Sequence, residues 1–285
     1  MEFIFKLGPF GLRWYSVLIA TGLLVGSWVA SIEAKRRGER ADHVYNILLI
    51  ALPLALIGAR AYHVIDKWSE LYSHDPVRVF LINEGGIGIY GAVAGAILGV
   101  AIYTRWKGLK LATWLDIGAP AMILGQAIGR WGNFFNQELY GKPTGLPWGI
   151  YIPPDKRIIG YESYSNFHPL FLYESLLNLA AFGALMYIGR RFQGTLKAGD
   201  PALLYGVFYG VIRLGLENLR VGNWVLGGQL PVATIISAGA IIVCGGGLLY
   251  RHLLSPKGPR ETSSPTSRPI GTTEGVSDQN PPAQM

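Results

Sequence analysis

The sequence predicts an all-α, polytopic integral membrane protein of about seven transmembrane helices, with the N-terminus outside and the C-terminus inside. Three observations lead there. Half of the 285 residues are hydrophobic and only 15% are charged, where a soluble domain carries about a quarter. The hydrophobic residues gather into seven runs close to the ~20 residues that cross a hydrocarbon core. Such runs must be helical in lipid, because an open sheet leaves backbone groups unpaired. Lys and Arg collect in alternate connections, the pattern that orients helices in a membrane. The net charge of +7 is thereby spread over short loops, so no nucleic-acid partner is expected.

The runs fall at about Trp14–Ala34, Tyr45–Ile65, Ile87–Tyr103, Thr113–Gly129, Pro169–Ile188, Ala202–Leu219 and Leu230–Tyr250. The third and fourth are short or broken by Gly and Pro, as suits helices packed inside a bundle. Lys35, Arg36, Arg37 and Arg40, then Arg105, Lys107 and Lys110, then Arg190, Arg191 and Lys197, then Arg251, Lys257, Arg260 and Arg268 mark one side as cytoplasmic. The N-terminus and the connections at 66–84, 130–168 and 220–228 then face outward, with Trp148, Tyr151, Tyr161 and Tyr164 suited to an interface. Residues 1–254 form one membrane domain with a long outer loop at 130–168. Residues 255–285, rich in Ser, Thr, Pro and Gly, read as a disordered cytoplasmic tail. No cleavable signal peptide is expected at the N-terminus. The single Cys, Cys244, excludes an internal disulfide and reads as a small packing residue.

Five stretches carry polar or aromatic residues that bear on function. In Gly129-Arg130-Trp131-Gly132-Asn133-Phe134-Phe135-Asn136-Gln137-Glu138, a helical reading puts Arg130, Asn133 and Gln137 on one face, with Glu138 beside them. A helix end needs far less hydrogen-bonding capacity than this. In the sixth run Gly206, Gly210, Arg213, Glu217 and Arg220 recur at steps of four, three, four and three. A charge in a span costs roughly 2.5–3.5 kcal/mol on insertion scales, so it persists where it pairs or binds something polar. Arg213 and Glu217 could pair with each other. Arg220, Arg130 and Arg60 leave an excess of positive charge that calls for an anion. The third run opens Glu84-Gly85-Gly86 and continues through Tyr90, Gly91, Gly95 and Gly99, a GxxxG pattern for close helix approach. Tyr90 is either a core aromatic or a group pointing into the site. His168-Pro169 opens the fifth run, where Pro and Glu174 suit a helix start. Arg13-Trp14-Tyr15 could be an aromatic belt.

Together these segments resemble the prolipoprotein diacylglyceryl transferase family: Arg13-Trp14-Tyr15, Gly58-Ala59-Arg60, Glu84 through Gly91, Gly129 through Thr144, His168-Pro169 with Leu172-Tyr173-Glu174, and Arg213-x-x-x-Glu217-x-x-Arg220. The resemblance implies a multi-pass enzyme of the bacterial cytoplasmic (inner) membrane, acting as a monomer without metal or nucleotide cofactor. It implies transfer of the diacylglyceryl group of phosphatidylglycerol to the lipobox cysteine thiol of a preprolipoprotein, with release of glycerol 1-phosphate. Arg130, Arg213, Tyr90 and Glu217 are then the expected catalytic residues. Tyr15, Arg60, Asn133, Asn136, Glu138, His168 and Arg220 are the expected substrate-binding ones. Arginine suits the task because its fork grips two phosphate oxygens and stays charged when buried. One departure stands out: many members of the family carry His where this chain has Tyr90, and a phenol with a pKa near 10 is a poor base. A hydrogen bond from its hydroxyl to the lipid phosphate is the role expected here. A transporter for an anionic solute is the competing class, and it calls for inverted repeats that the sequence lacks.

Overall fold

A computed structural model of the chain describes residues 3–7, 10–81, 85–222, 225–226 and 230–254. Glu84 and the 255–285 tail lie outside the described residues. Among the described residues seven long helices account for most of the structure: α1 Trp14–Arg36, α2 Asp42–Asp66, α3 Ile89–Trp106, α4 Leu111–Asn136, α5 Leu170–Arg191, α6 Asp200–Glu217 and α7 Val232–Leu249. Six of the corresponding segments are long and apolar enough to cross a membrane. The exception, α6, is as long as α3 but carries Asp200, Arg213 and Glu217. Outward faces are strongly apolar: Leu49 on α2 is 73% exposed and Ile242 on α7 is 72% exposed. A surface of this kind is stable against lipid and would be an aggregation site in water.

Helix contacts follow the small residues. On α3, a Cβ at Gly91 would overlap the Gly58 carbonyl of α2, and one at Gly95 would overlap the Leu54 carbonyl. Gly99 lies against Ala51. The α3 glycines therefore pack, letting two backbones meet where lipid supplies no hydrophobic drive between helices. Gly22 and Gly26 of α1 seat on Gly125 and Ala121 of α4 in the same way.

Because the chain runs up and down, one end of the bundle collects the starts of α1, α3, α5 and α7 and the ends of α2, α4 and α6. Among the described residues three small antiparallel ribbons lie at this end: β1 Phe3–Leu7 with β2 Phe10–Arg13, β3 Ile150–Tyr151 with β4 Asn166–Phe167, and β5 Val225–Leu226 with β6 Leu230–Pro231. At the opposite end buried Asp116 accepts the Gly199 amide at 2.7 Å and the Ala202 amide at 3.1 Å. That carboxylate holds the start of α6, where a helix dipole favours negative charge.

The fourth helix departs from the sequence expectation. It runs unbroken through Pro120 to Asn136, well past Gly129. It stops at Gln137, which takes a left-handed conformation (φ 53°, ψ 49°). Gln137 therefore leaves the Arg130–Asn133 face, and its own amide caps the helix on the Phe134 carbonyl at 3.1 Å.

Candidate active site

The extra turns of α4 carry Arg130, Asn133 and Asn136 into the end that bears the ribbons. Arg130 Nη1 donates to Asn133 Oδ1 at 3.4 Å. Asn133 Nδ2 in turn donates to Glu138 Oε1 at 3.0 Å, and Asn136 Nδ2 reaches the same oxygen at 3.1 Å. The chain just beyond α4 thus folds back on the helix end through one carboxylate.

Across from this face stands Glu174 on α5, 4% exposed. One of its oxygens, Oε1, pairs with Arg130 Nη2, and the other, Oε2, lies 3.5 Å from Arg220 Nη2. The carboxylate is a bridge between guanidinium groups from two distant segments. The sequence offered Glu174 only as a favourable early-helix residue. The signal that could have singled it out is a carboxylate on an otherwise apolar helix, which a lipid environment tolerates only beside a partner.

Arg213 completes the group from α6. Its Nη2 lies 3.3 Å from Glu217 Oε2 one turn along, so the i, i+4 pair is formed. The pair does not use up its members. Arg213 Nη1, both Glu217 oxygens and Arg220 Nε are buried without a hydrogen-bond partner among the described residues. Buried polar atoms are seldom left so, and an orphan buried charge is costly. Arg220 feels the charges of Arg213, Glu174, Arg130 and Glu217. Burial, then repulsion from Arg213, lowers its pKa from the ordinary arginine value to about 10, so it stays cationic at neutral pH. Three guanidinium groups and two carboxylates therefore lie within electrostatic reach of one another around Arg220, with donors to spare.

Tyr90, at the start of α3, lies within electrostatic reach of Arg213 and Glu217 and of Tyr209. Tyr15 lays its ring over Gly132 of α4, where a Cβ would strike Tyr15 Cδ2. Beside it Trp14 stacks on Phe135 at 4.8 Å. His168 Nδ1 is 3.2 Å from the Tyr173 hydroxyl, which also accepts the Trp148 indole N–H at 2.8 Å. The His168 backbone pairs with the 141–142 segment: the Gly141 amide donates to its carbonyl at 2.9 Å, and its own amide donates to Lys142 at 3.0 Å. In the connection between α4 and α5 the Glu162 carboxylate accepts its own amide and that of Gly160, which together hold its pKa below the usual carboxylate value.

Arg60 has a different setting. Among the described residues its hydrogen bonds all go to backbone carbonyls of the 78–86 segment: Nε to Val79, Nη1 to Gly85 and Gly86, Nη2 to Leu81 and Arg78. Its guanidinium also lies over the Tyr72 ring, 5.4 Å from the centroid. The structure does not bring Arg60 into contact with Arg130, Arg213 or Arg220. It ties down the connection that leads into α3 and Tyr90.

Comparison with known proteins shows the family of the chain. Residues 2–250 match the family model described as prolipoprotein diacylglyceryl transferase. A phosphatidylglycerol–prolipoprotein diacylglyceryl transferase of Chloroflexus aggregans is 41% identical, the match covering 95% of this chain and 93% of that protein. One of the same description from Synechocystis is 38% identical over 90% of this chain and 91% of its own. One from Halalkalibacterium halodurans is 37% identical, over 90% and 91%. A match of that extent, on a bundle that gathers Arg130, Arg213 and Arg220 at one end, means that this chain belongs to the prolipoprotein diacylglyceryl transferase family.

Proposed function

We propose that this protein transfers the diacylglyceryl group of phosphatidylglycerol to the thiol of the lipobox cysteine in preprolipoproteins. It works as a monomer at the outer face of the bacterial cytoplasmic membrane. The membrane unit is residues 1–254, and residues 255–285 trail on the cytoplasmic side. The observation that carries the reading is the surplus of buried guanidinium donors around Glu174 and Glu217. Such a group needs an anion, and a lipid phosphate is the anion a membrane supplies.

In the reaction the cysteine sulfur forms a bond to the glycerol carbon of the diacylglyceryl group. The carbon–oxygen bond to phosphate breaks, and that oxygen leaves with the electron pair. The thiol proton ends on the released glycerol 1-phosphate. Negative charge therefore moves from sulfur to the phosphate oxygens. Arg130 and Arg213 grip those oxygens and stabilise the shift without reorganising, an effect strengthened where water is excluded. Glu217 orients Arg213, and Glu174 orients Arg130 and Arg220. Asn133 and Glu138 steady Arg130, with Asn136 holding Glu138. The Tyr90 hydroxyl donates to the phosphate, while Tyr15 and His168 line the approach.

The test mixes purified protein, phosphatidylglycerol and a lipobox peptide. Thioether-linked peptide and free glycerol phosphate appear together, and Arg213→Ala abolishes both. Uptake of an anionic solute into proteoliposomes with no thioether product would replace the enzyme by a transporter.

A further inference from the structure

Beyond Arg213 the stripe on α6 changes character. Gly206 and Gly210 lie against Cys244 and Ile241 of α7, so the two helices touch there. One turn past Arg213 they part, and a cleft of about 410 Å³ opens between the end of α6 and the start of α7. Its polar lining is Lys142, Glu217, Asn218, Arg220 and Thr234. Arg130, Arg213 and Glu174 are not among its walls. The volume lies within the range of small-molecule sites, ~300–1,000 Å³.

Two of the walls are short of partners. The Arg220 side chain is 9% exposed, and its Nε has no hydrogen-bond acceptor among the described residues. Neither Glu217 oxygen accepts a hydrogen bond among the described residues, and only Oε2 is engaged in the ion pair with Arg213. Lys142 is held next to Arg220 by backbone pairing: its amide donates to Leu219 at 2.7 Å, and Gly141 bridges to Arg220 itself. The Lys142 side chain makes no ion pair or hydrogen bond among the described residues. The cleft thus offers two cations with free donors, one carboxylate with a free oxygen, an amide and a hydroxyl.

We infer that this cleft is a binding site for a phosphoglycerol group, and that it receives the released glycerol phosphate after transfer. The ester's phosphate meets Arg220 and Lys142. Its hydroxyls donate to Glu217, whose Oε1 is left outside the Arg213 pair, and meet Asn218 and Thr234. Arg220 reaches both compartments, with Nη2 beside Glu174 in the transfer site and its side chain in the cleft wall. A phosphate leaving Arg130 and Arg213 therefore has a charged stepping point toward the outside. The inference rests on the proposed transferase reaction for the identity of its ligand. A lipid headgroup presents the same chemistry, so the experiment separates the two sources.

The protein is reconstituted in phosphatidylcholine nanodiscs, with and without phosphatidylglycerol, and titrated with sn-glycerol 1-phosphate followed by phosphorus NMR. Wild type binds the ester in both bilayers. Lys142→Gln weakens that binding about tenfold, the loss expected of one charged hydrogen bond, and Lys142→Arg restores it. Thr234→Val, which leaves the charges in place, weakens it less but weakens inorganic phosphate not at all. Equal binding by wild type and Lys142→Gln would overturn the site. Displacement of the ester by phosphatidylglycerol would overturn its assignment to the released product. Binding is read without turnover, so a failed transfer assay would count against the reaction and leave the cleft to be judged on its own result.

Discussion

Replacing Glu174 by Gln preserves the shape of the side chain and removes its charge. In wild type the two carboxylate oxygens are divided between Arg130 and Arg220, and the residue is 4% exposed. Gln offers one acceptor oxygen and an NH2 group that faces a guanidinium donor to donor. One arginine of the two loses its guide. Removing one preorganised donor from a developing oxyanion costs about 10²- to 10³-fold in kcat, or roughly 3–4 kcal/mol at 1.36 kcal/mol per tenfold. The effect on KM runs the other way. The site gains a net positive charge, so ground-state binding of an anionic lipid is held or tightened. The expected signature is therefore a fall in kcat of about two to three orders with KM for phosphatidylglycerol unchanged or lower. Glu174→Asp keeps the charge but shortens the reach, and loses about tenfold. The assay is thioether formation on a lipobox peptide across a range of phosphatidylglycerol, with thermal unfolding in detergent to confirm an intact fold. A Glu174→Gln protein with native unfolding temperature and kcat within threefold of wild type would refute the idea that this carboxylate positions the arginines.

Other outcomes follow from the same geometry. Tyr90→Phe loses about tenfold in transfer rate, the worth of one hydrogen bond to a charged group, while Tyr90→His keeps a donor and recovers most of it. Full activity in the Phe variant would remove the hydroxyl from the chemistry. Arg60→Met strips hydrogen bonds from the carbonyls of the 78–86 segment. Each buried acceptor left unpaired costs ~1–3 kcal/mol, so trypsin cuts after Arg78 in the variant and spares it in wild type. Limited proteolysis with mass spectrometry reads this directly. Gly91→Val places a side chain on the Gly58 carbonyl, and overpacking of this kind typically costs ~1–3 kcal/mol or more. The α2–α3 pair then separates, visible as a lower unfolding temperature, whereas Gly183→Ala, with nothing within 4 Å of its Cβ, leaves it unchanged.

The helices and the packing of α3 are legible in the sequence because both are local. A run of apolar residues has nowhere to go in lipid but into a helix, and small residues every fourth position present one face whatever the partner. The i, i+4 pair of Arg213 and Glu217 is legible for the same reason. The end of α4 was harder. Helix propensity continues smoothly past Gly129, and the stop depends on Gln137 adopting a conformation that Gly or Asn would ordinarily mark.

What only the tertiary structure decided is which charge meets which. Arg60, Arg130 and Arg220 look alike in the sequence, each an arginine in or near an apolar run. Folding gives the donors of Arg60 to the carbonyls of a connection, while Arg130 on α4 and Arg220 just past the end of α6 converge on Glu174 from segments far apart in the chain. No spacing rule encodes that convergence, because it depends on how α4, α5 and α6 are rotated against one another. Composition and periodicity determine that buried charges must find partners. The angle between helices determines whether the partner is a carbonyl, a carboxylate or the phosphate of a lipid.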